Sequence, residues 1–523
     1  MVINKKKMIK IMVFLLLVCI NIYLYRFELW KIIYDCFDKD KITVELTTEQ
    51  KVEDFESFYN TIVESTPYLK QKKKLYGIDF VSRKNYYLEE VKNTSNNLEY
   101  LGVMKAIASD ISSFHTDICF PMYSHLQGLN CYNSEKVINS PRRKEKVEAW
   151  WSEIEKGIRD YEDVNLIKVV YVDGKYIVEN SCLPHDFSEL ENYELDQIDN
   201  VDAREYIVEH LSIFKLQYDY LYNQAYRTGF VLNDKIGKKV DVVWKSKDGE
   251  KQHETMYINN GAEIVWSFGY LFSDKYDYYN MADYEEEDVL MHRDNENQLE
   301  YIKINNFDND KGDELKEYLL NTPYKKIIID LRENYGGLNK YAVKYLYPGL
   351  YHEDNTFTYS WKIPNTKENK KMSNSLGVRL FYYEQKDDNY IYYKDTLKFK
   401  GEQTDNKEVY YLTSPFTGSA ADTYVAMIKE KKLGKLVGTN TGGEGLGASF
   451  ICDALNNSSL IYVYYPSIAT DDLGNEHEDA GVAPDIYVDQ SREDYNEEQI
   501  TNDSSDYIQK IKYDTVLRWV LEK

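Results

Sequence analysis

"KKIIIDLRENYGG", residues 325–337, is the stretch on which the fold turns. Ile327, Ile328 and Ile329 follow one another without polar alternation. That is the pattern of a strand covered on both faces, as in a parallel sheet. The run ends in a pair of glycines, Gly336 and Gly337, which allow backbone conformations and close approaches forbidden to other residues.

Working outward, strands and helices alternate. "LEYIKINNF" from Leu299 reads as a strand, "DELKEYLLNT" from Asp313 as a helix, and "EVYYLTSP" from Glu408 as another strand. "SAADTYVAMIKEKK" from Ser419 is helical, and "KLVGTNT", "SLIYVYYPSIAT" and "APDIYV" are later strands. This alternation predicts a layered α/β domain over 263–490. The polar, Tyr-rich segment 353–407 reads as a long excursion with some strand content.

Upstream, Asp173-Gly174 and Asp248-Gly249 each sit between β-rich runs, a strong hairpin signal. With a helix-like segment near 202–227 between them, they predict a β-rich module over 161–262. Residues 35–160 read as helical. "TTEQKVEDFESFYNTIVEST" from Thr47 spaces its apolar residues helically behind a Thr cap. The segment 491–523 reads as a polar linker and a last helix.

The N-terminus joins a basic "NKKKMIK" to the apolar "IMVFLLLVCINIYLY", followed by Arg26. This pattern predicts an uncleaved signal anchor over 1–34, a single pass through the cell membrane, with the rest of the chain extracytoplasmic. The alternative is a buried N-terminal helix.

Composition excludes some functions. The 64 basic and 88 acidic residues leave a net charge of −24, which argues against a nucleic-acid partner. The six cysteines form no CxxC pair and the eight histidines no H-E-x-x-H, so neither a metal nor a cofactor is implied.

Chemistry centres on "TSPFTGSAAD", residues 413–422. Ser419 follows a strand and opens a helix, where backbone N–H groups and the helix dipole favour developing negative charge. Gly418, Ala420 and Ala421 clear space for a tight turn. An N-cap serine would look the same. The paired glycines offer N–H groups to a carbonyl oxygen, and Asp330 and Arg332 are placed to buttress their loop.

"DLRENYGG", "LTSPFTGSAAD", "VGTNTGGEG" and "GVAPDIYV" occur in an order and spacing that resemble the C-terminal processing, or tail-specific, serine proteases. The tricorn protease core belongs to the same family. The resemblance covers roughly 298–490. It implies endopeptidase chemistry on a crotonase/ClpP-like α/β core and a PDZ-like module over 161–262. It maps the nucleophile onto Ser419 and the oxyanion hole onto Ala420 with Gly336 or Gly337. The substrate implied is a polypeptide.

One departure matters. Where the bacterial members carry the lysine of a Ser-Lys dyad, this chain has Glu444, and a carboxylate cannot act as that lysine does. Lys429, Lys431, Lys432 and Lys435 are near in sequence but belong to the far end of the helix. The tricorn-like branch resembles a Ser-His pair supported by a second hydroxyl and a glutamate. That maps the base onto His115 in "SSFHTD", the glutamate onto Glu478, and the hydroxyl onto Ser113 or Thr116. His477 competes with His115. The sequence therefore supports two alternatives: a membrane-anchored extracytoplasmic serine endopeptidase, or an inactive protease-fold protein that binds peptides or partner proteins. It does not set the oligomeric state.

Overall fold

The computed structural model describes residues 45–111, 113, 115–119, 145–150, 152, 166–179, 185–209, 218–219, 224–225, 227–231, 238–258, 288–367, 369–370, 383–445, 450–470, 476, 480–500 and 512–523. The expected signal anchor, 1–34, lies outside them. Among the described residues no helix is long and apolar enough to cross a membrane.

Near the N-terminus are helices α1 (Thr48–Ser65) and α2 (Leu69–Tyr76), then helices Lys84–Lys92 and Asn97–Ser109. Helix α1 starts where the sequence predicts. Thr47 and Gln50 form a reciprocal capping box there, each side chain accepting from the other's backbone N–H. The apolar face of α1, with Phe55, Phe58 and Ile62, is buried in the same hydrophobic core as the α/β sheet.

That sheet has six strands in chain order: β1 (Val289–Asp294), β2 (Leu299–Ile304), β3 (Lys326–Asp330), β4 (Glu408–Thr413), β5 (Lys435–Gly438) and β6 (Ile486–Tyr487). β1 and β2 are antiparallel, and every later pairing is parallel. The three isoleucines of β3 are fully buried, as their unbroken run predicts for a strand covered on both sides. A helix, Gly312–Leu320, links β2 to β3, and helix α3 (Ser419–Lys431) links β4 to β5.

The consequence for function is geometric. β3, β4 and β5 are adjacent and parallel, with Asp330 opposite Leu412 and Thr413 opposite Gly438. Their carboxyl ends therefore send three loops to one edge of the sheet, where open α/β sheets build their sites.

Two features differ from the sequence expectations. The segment 353–407 contains a long antiparallel strand pair. Asn355–Pro364 pairs over ten residues with Tyr390–Phe399, and alternate aromatics Phe357, Tyr359, Trp361 and Tyr393 are buried. Aromatic residues at period two suit a half-buried strand, which the abundance of polar residues between them disguised. Among the described residues the helix expected near 202–227 covers Ala203–Glu209, and Arg227–Val231 instead joins a sheet. That sheet runs Lys175–Val178, Leu166–Val172, Arg227–Val231, Lys251–Ile258, Lys238–Lys245 and Glu194–Ile198, with Val201–Asp202 beyond. Glu194–Ile198 also pairs with Lys175–Val178, so six strands close on themselves around a core that includes Trp244 and Ile167. At the C-terminus, helix α4 (Thr515–Leu521) packs Leu517 and Val520 against Leu412 and Val437 of the α/β sheet.

Candidate active site

Ser419 occupies the first position of α3 with a φ of 51°, the left-handed region that a side chain rarely adopts. The turn before it is tied to the loop after β3. The Thr417 hydroxyl donates to the Leu331 carbonyl at 2.7 Å, and the Ser414 hydroxyl donates to the Arg332 carbonyl. Gly418 N–H donates to the Asn334 carbonyl at 3.0 Å. A serine forced into a left-handed turn at a helix mouth is the geometry of a nucleophile elbow, and the strain holds its hydroxyl at the sheet edge.

The paired glycines stand against this turn. Gly336 and Gly337 have φ of 108° and 121°, both closed to ordinary residues. A Cβ on Gly336 would lie 2.5 Å from Ser419 Cβ and 2.8 Å from Ala420 N. The loop is set by Asn334, which is fully buried. Its amide donates to the Ile304 carbonyl at 3.0 Å, and its Oδ1 accepts from Gly336 N–H at 2.8 Å. Gly336 N–H is thus engaged within its own loop. Below the loop, Arg332 forms bidentate contacts with Asp330 (3.0 and 2.6 Å) and Asp514 (3.1 and 2.6 Å). Asp330 also accepts from Tyr301 at 2.7 Å. Burial alone would raise the Asp330 carboxyl, but Arg332 and then Lys303 outweigh it and hold it at about 2. The buttressing role expected for Asp330 and Arg332 matches these contacts.

The loop after β5 closes the site from the other side. Ser419 N–H donates to the Gly443 carbonyl at 3.1 Å, and Gly442 N–H to that of Thr417 at 2.9 Å. Gly445 packs so closely that a Cβ there would lie 2.6 Å from the Ser419 carbonyl. Between them is Glu444, in the left-handed region at φ 58° and buried. Its Oε1 accepts from Lys72 Nζ at 2.8 Å, and its Oε2 from the Ser113 hydroxyl at 2.9 Å. Burial works to raise this carboxyl, while Lys72, His115 and the hydrogen bonds from Lys72 and Ser113 hold it below the usual carboxylate range. Lys429, Lys431 and Lys432 are at the opposite end of α3 from Ser419.

His115 arrives from the N-terminal region. Asp117–Ile118 pairs antiparallel with Ile461–Tyr464, and Tyr465 N–H donates to Thr116 Oγ1 at 3.2 Å. The ring packs 4.5 Å from Phe450 and 5.4 Å from Tyr465, and the His115 backbone N–H donates to Ser113 Oγ at 3.1 Å. Burial lowers the imidazole pKa from its ordinary value. The Glu444 carboxylate opposes this, Lys72 adds to it, and a hydrogen bond to the Glu444 backbone opposes it again. His115 and Ser419 therefore flank the same loop, one on Glu444 and the other on Gly443. Of the hydroxyls weighed as a bridge, Thr116 is committed to Tyr68 at 2.9 Å, and Ser113 touches both His115 and Glu444.

Glu478 and His477 lie outside the described residues. Their neighbours do pack on the site. Asn440 donates to the Ala480 carbonyl at 2.6 Å, and Thr441 N–H to that of Val482 at 3.1 Å. Two contributors were not found from sequence. Asn334 is one letter in a loop with no motif of its own. Lys72 sits in the basic run "LKQKKKLY", 372 residues from its partner, where nothing local separates it from the solvated lysines beside it.

Known proteins resemble the chain as follows. Mature CPAF complexed with lactacystin is similar in fold, with a TM-score of 0.51 at 12% identity over 91% of this chain and 99% of that one. The photosystem II D1 C-terminal processing protease has a TM-score of 0.36 at 12% identity, covering 85% and 94%. The tricorn protease has a TM-score of 0.34 at 11% identity, covering 93% of this chain and 37% of that one. No curated protein matches the chain. Residues 298–488, which span β2 to β6 and hold Ser419 and both glycines, match Peptidase family S41. Over this segment the chain thus resembles a domain of Peptidase family S41.

Proposed function

We propose that the protein is a serine endopeptidase that cleaves peptide bonds through an acyl-enzyme on Ser419. The observation that carries this is the left-handed Ser419 at the mouth of α3, with the bare backbone of Gly336 against it. In this proposal the Ser419 hydroxyl attacks the scissile carbonyl. Its proton passes to His115, which returns it to the leaving amine, and water then releases the acyl group by the same route. The N–H groups of Ala420 and Gly337 receive the oxyanion, and Gly336 contributes by having no side chain. Glu478 supports the histidine from the segment that packs on Asn440 and Thr441. Residues 1–34 anchor the protein in the membrane with the peptidase extracytoplasmic. Residues 35–160 form a helical region, 161–262 a PDZ-like module that captures peptides, 263–490 the peptidase core and 491–523 a linker and helix.

A fluorophosphonate probe tests the central claim. The full chain takes the label and Ser419→Ala does not. Glu444 in the lysine position favours a second function, an inactive peptide-binding relative, and a folded wild-type chain that takes no label establishes it. Full labelling of His115→Ala rejects the imidazole as base. Deletion of 1–34 moves the protein from the membrane to the soluble fraction; retention in the membrane overturns the anchor.

A further inference from the structure

We infer that Lys72 and Glu444 are positioning residues for His115, a buried ion pair that holds the ring in place and fixes the charge it senses. The inference rests on His115 being the base.

Both members of the pair are buried, at 3% exposure each. Lys72 comes from α2, and Glu444 from the loop that is bonded through Gly443 to Ser419. Ser113 completes the cluster. Its hydroxyl donates to Glu444 Oε2 at 2.9 Å while accepting from the His115 backbone N–H at 3.1 Å, which fixes the chain that carries the ring. Among the described residues the charged groups facing the imidazole are Glu444 and Lys72, and the Glu478 of the proposed function is a further carboxylate common to every variant below. Among the described residues the rings of Phe450 and Tyr465 pack against it, and the buried phenol of Tyr68, held neutral, bonds the adjoining Thr116. The chemistry needs both charges. A base must be neutral before attack, which the Lys72 ammonium favours. It must then carry a proton while the acyl-enzyme forms, which the Glu444 carboxylate favours. An isolated buried charge would be costly in either place, so each partner also makes the other tolerable.

The test is the pH dependence of the second-order rate of fluorophosphonate labelling, measured on the full chain. In Glu444→Gln the ammonium is left unopposed, and the acid limb moves to lower pH. In Lys72→Met the carboxylate is left unopposed, and the limb moves to higher pH. Each shift is about one unit, or about tenfold in rate on the limb. The double variant, which leaves no lone buried charge, returns near the wild-type profile, and Lys72→Arg keeps it. Shifts in the same direction, or none, overturn the inference. If Lys72→Met does not fold, the Glu444→Gln limb compared with that of the double variant decides the question alone. The His115 ring titration, followed by NMR in Ser419→Ala, must show the same opposed shifts without any turnover. Failure of the base assignment appears separately, as a His115→Ala chain that still labels.

Discussion

A methyl group on Gly336 would begin 2.5 Å from Ser419 Cβ and 2.9 Å from the Gly418 carbonyl, at a φ of 108° that already resists a side chain. Gly336→Ala therefore has to displace the turn that carries the hydroxyl. We expect fluorophosphonate labelling to fall by about 10²–10³-fold, the scale of a spoiled oxyanion site, with circular dichroism little changed. At this scale the sequence was informative wherever local chemistry was sufficient. A serine between small residues and a glycine pair after an apolar strand are legible because backbone sterics alone require those residue types. Lys72 was not legible, because what distinguishes it from Lys70 or Lys74 is a carboxylate delivered by the fold. Asn334 was hidden for the same reason: its amide spans β2 and the glycine loop, which only the sheet brings together.

Among the elements, α4 is tied to the loop below the site by one side chain doing two jobs. Asp514 caps α4 by accepting from Leu517 N–H at 2.9 Å, and it also grips Arg332. Asp514→Ala removes both, and we expect a loss of about 2–4 kcal/mol in denaturant unfolding. The same cluster predicts a pH dependence. Asp330 is depressed from 3.8 to about 2, so its stabilisation is fully present above about pH 4 and is lost as pH falls toward 2. The change is on the order of 2 kcal/mol, and Asp330→Asn should abolish that portion of the acid sensitivity. The parallel strands β3, β4 and β5 were readable from their apolar runs. The antiparallel pair of Asn355–Pro364 with Tyr390–Phe399 was not, since its buried aromatics alternate with threonines, lysines and other polar residues that mimic a loop.

On the scale of the whole molecule, the N-terminal helices are structural partners of the peptidase core. Phe58 is fully buried and meets the Tyr462 ring edge-on at 5.2 Å, and Asp54 accepts from Asn457 and Ser458 N–H at 2.9 and 2.6 Å. Phe58→Ala should cost about 3–5 kcal/mol. Helices and α/β sheet should then melt together in one calorimetric transition at a lower temperature; two separate transitions would contradict the shared core. No sequence pattern announced this union, because contacts across some 400 residues leave no local period.

The pairing of Asp117–Ile118 with Ile461–Tyr464 carries one more consequence. A ribosome that has released the first four hundred residues has made the imidazole but not the hydroxyl, and the strand that docks the imidazole is made later still. If His115 is the base for Ser419, such a growing polypeptide is inert toward itself and its neighbours. On the proposed mechanism, cutting power switches on only after residues 461–464 are made and pair with 117–118.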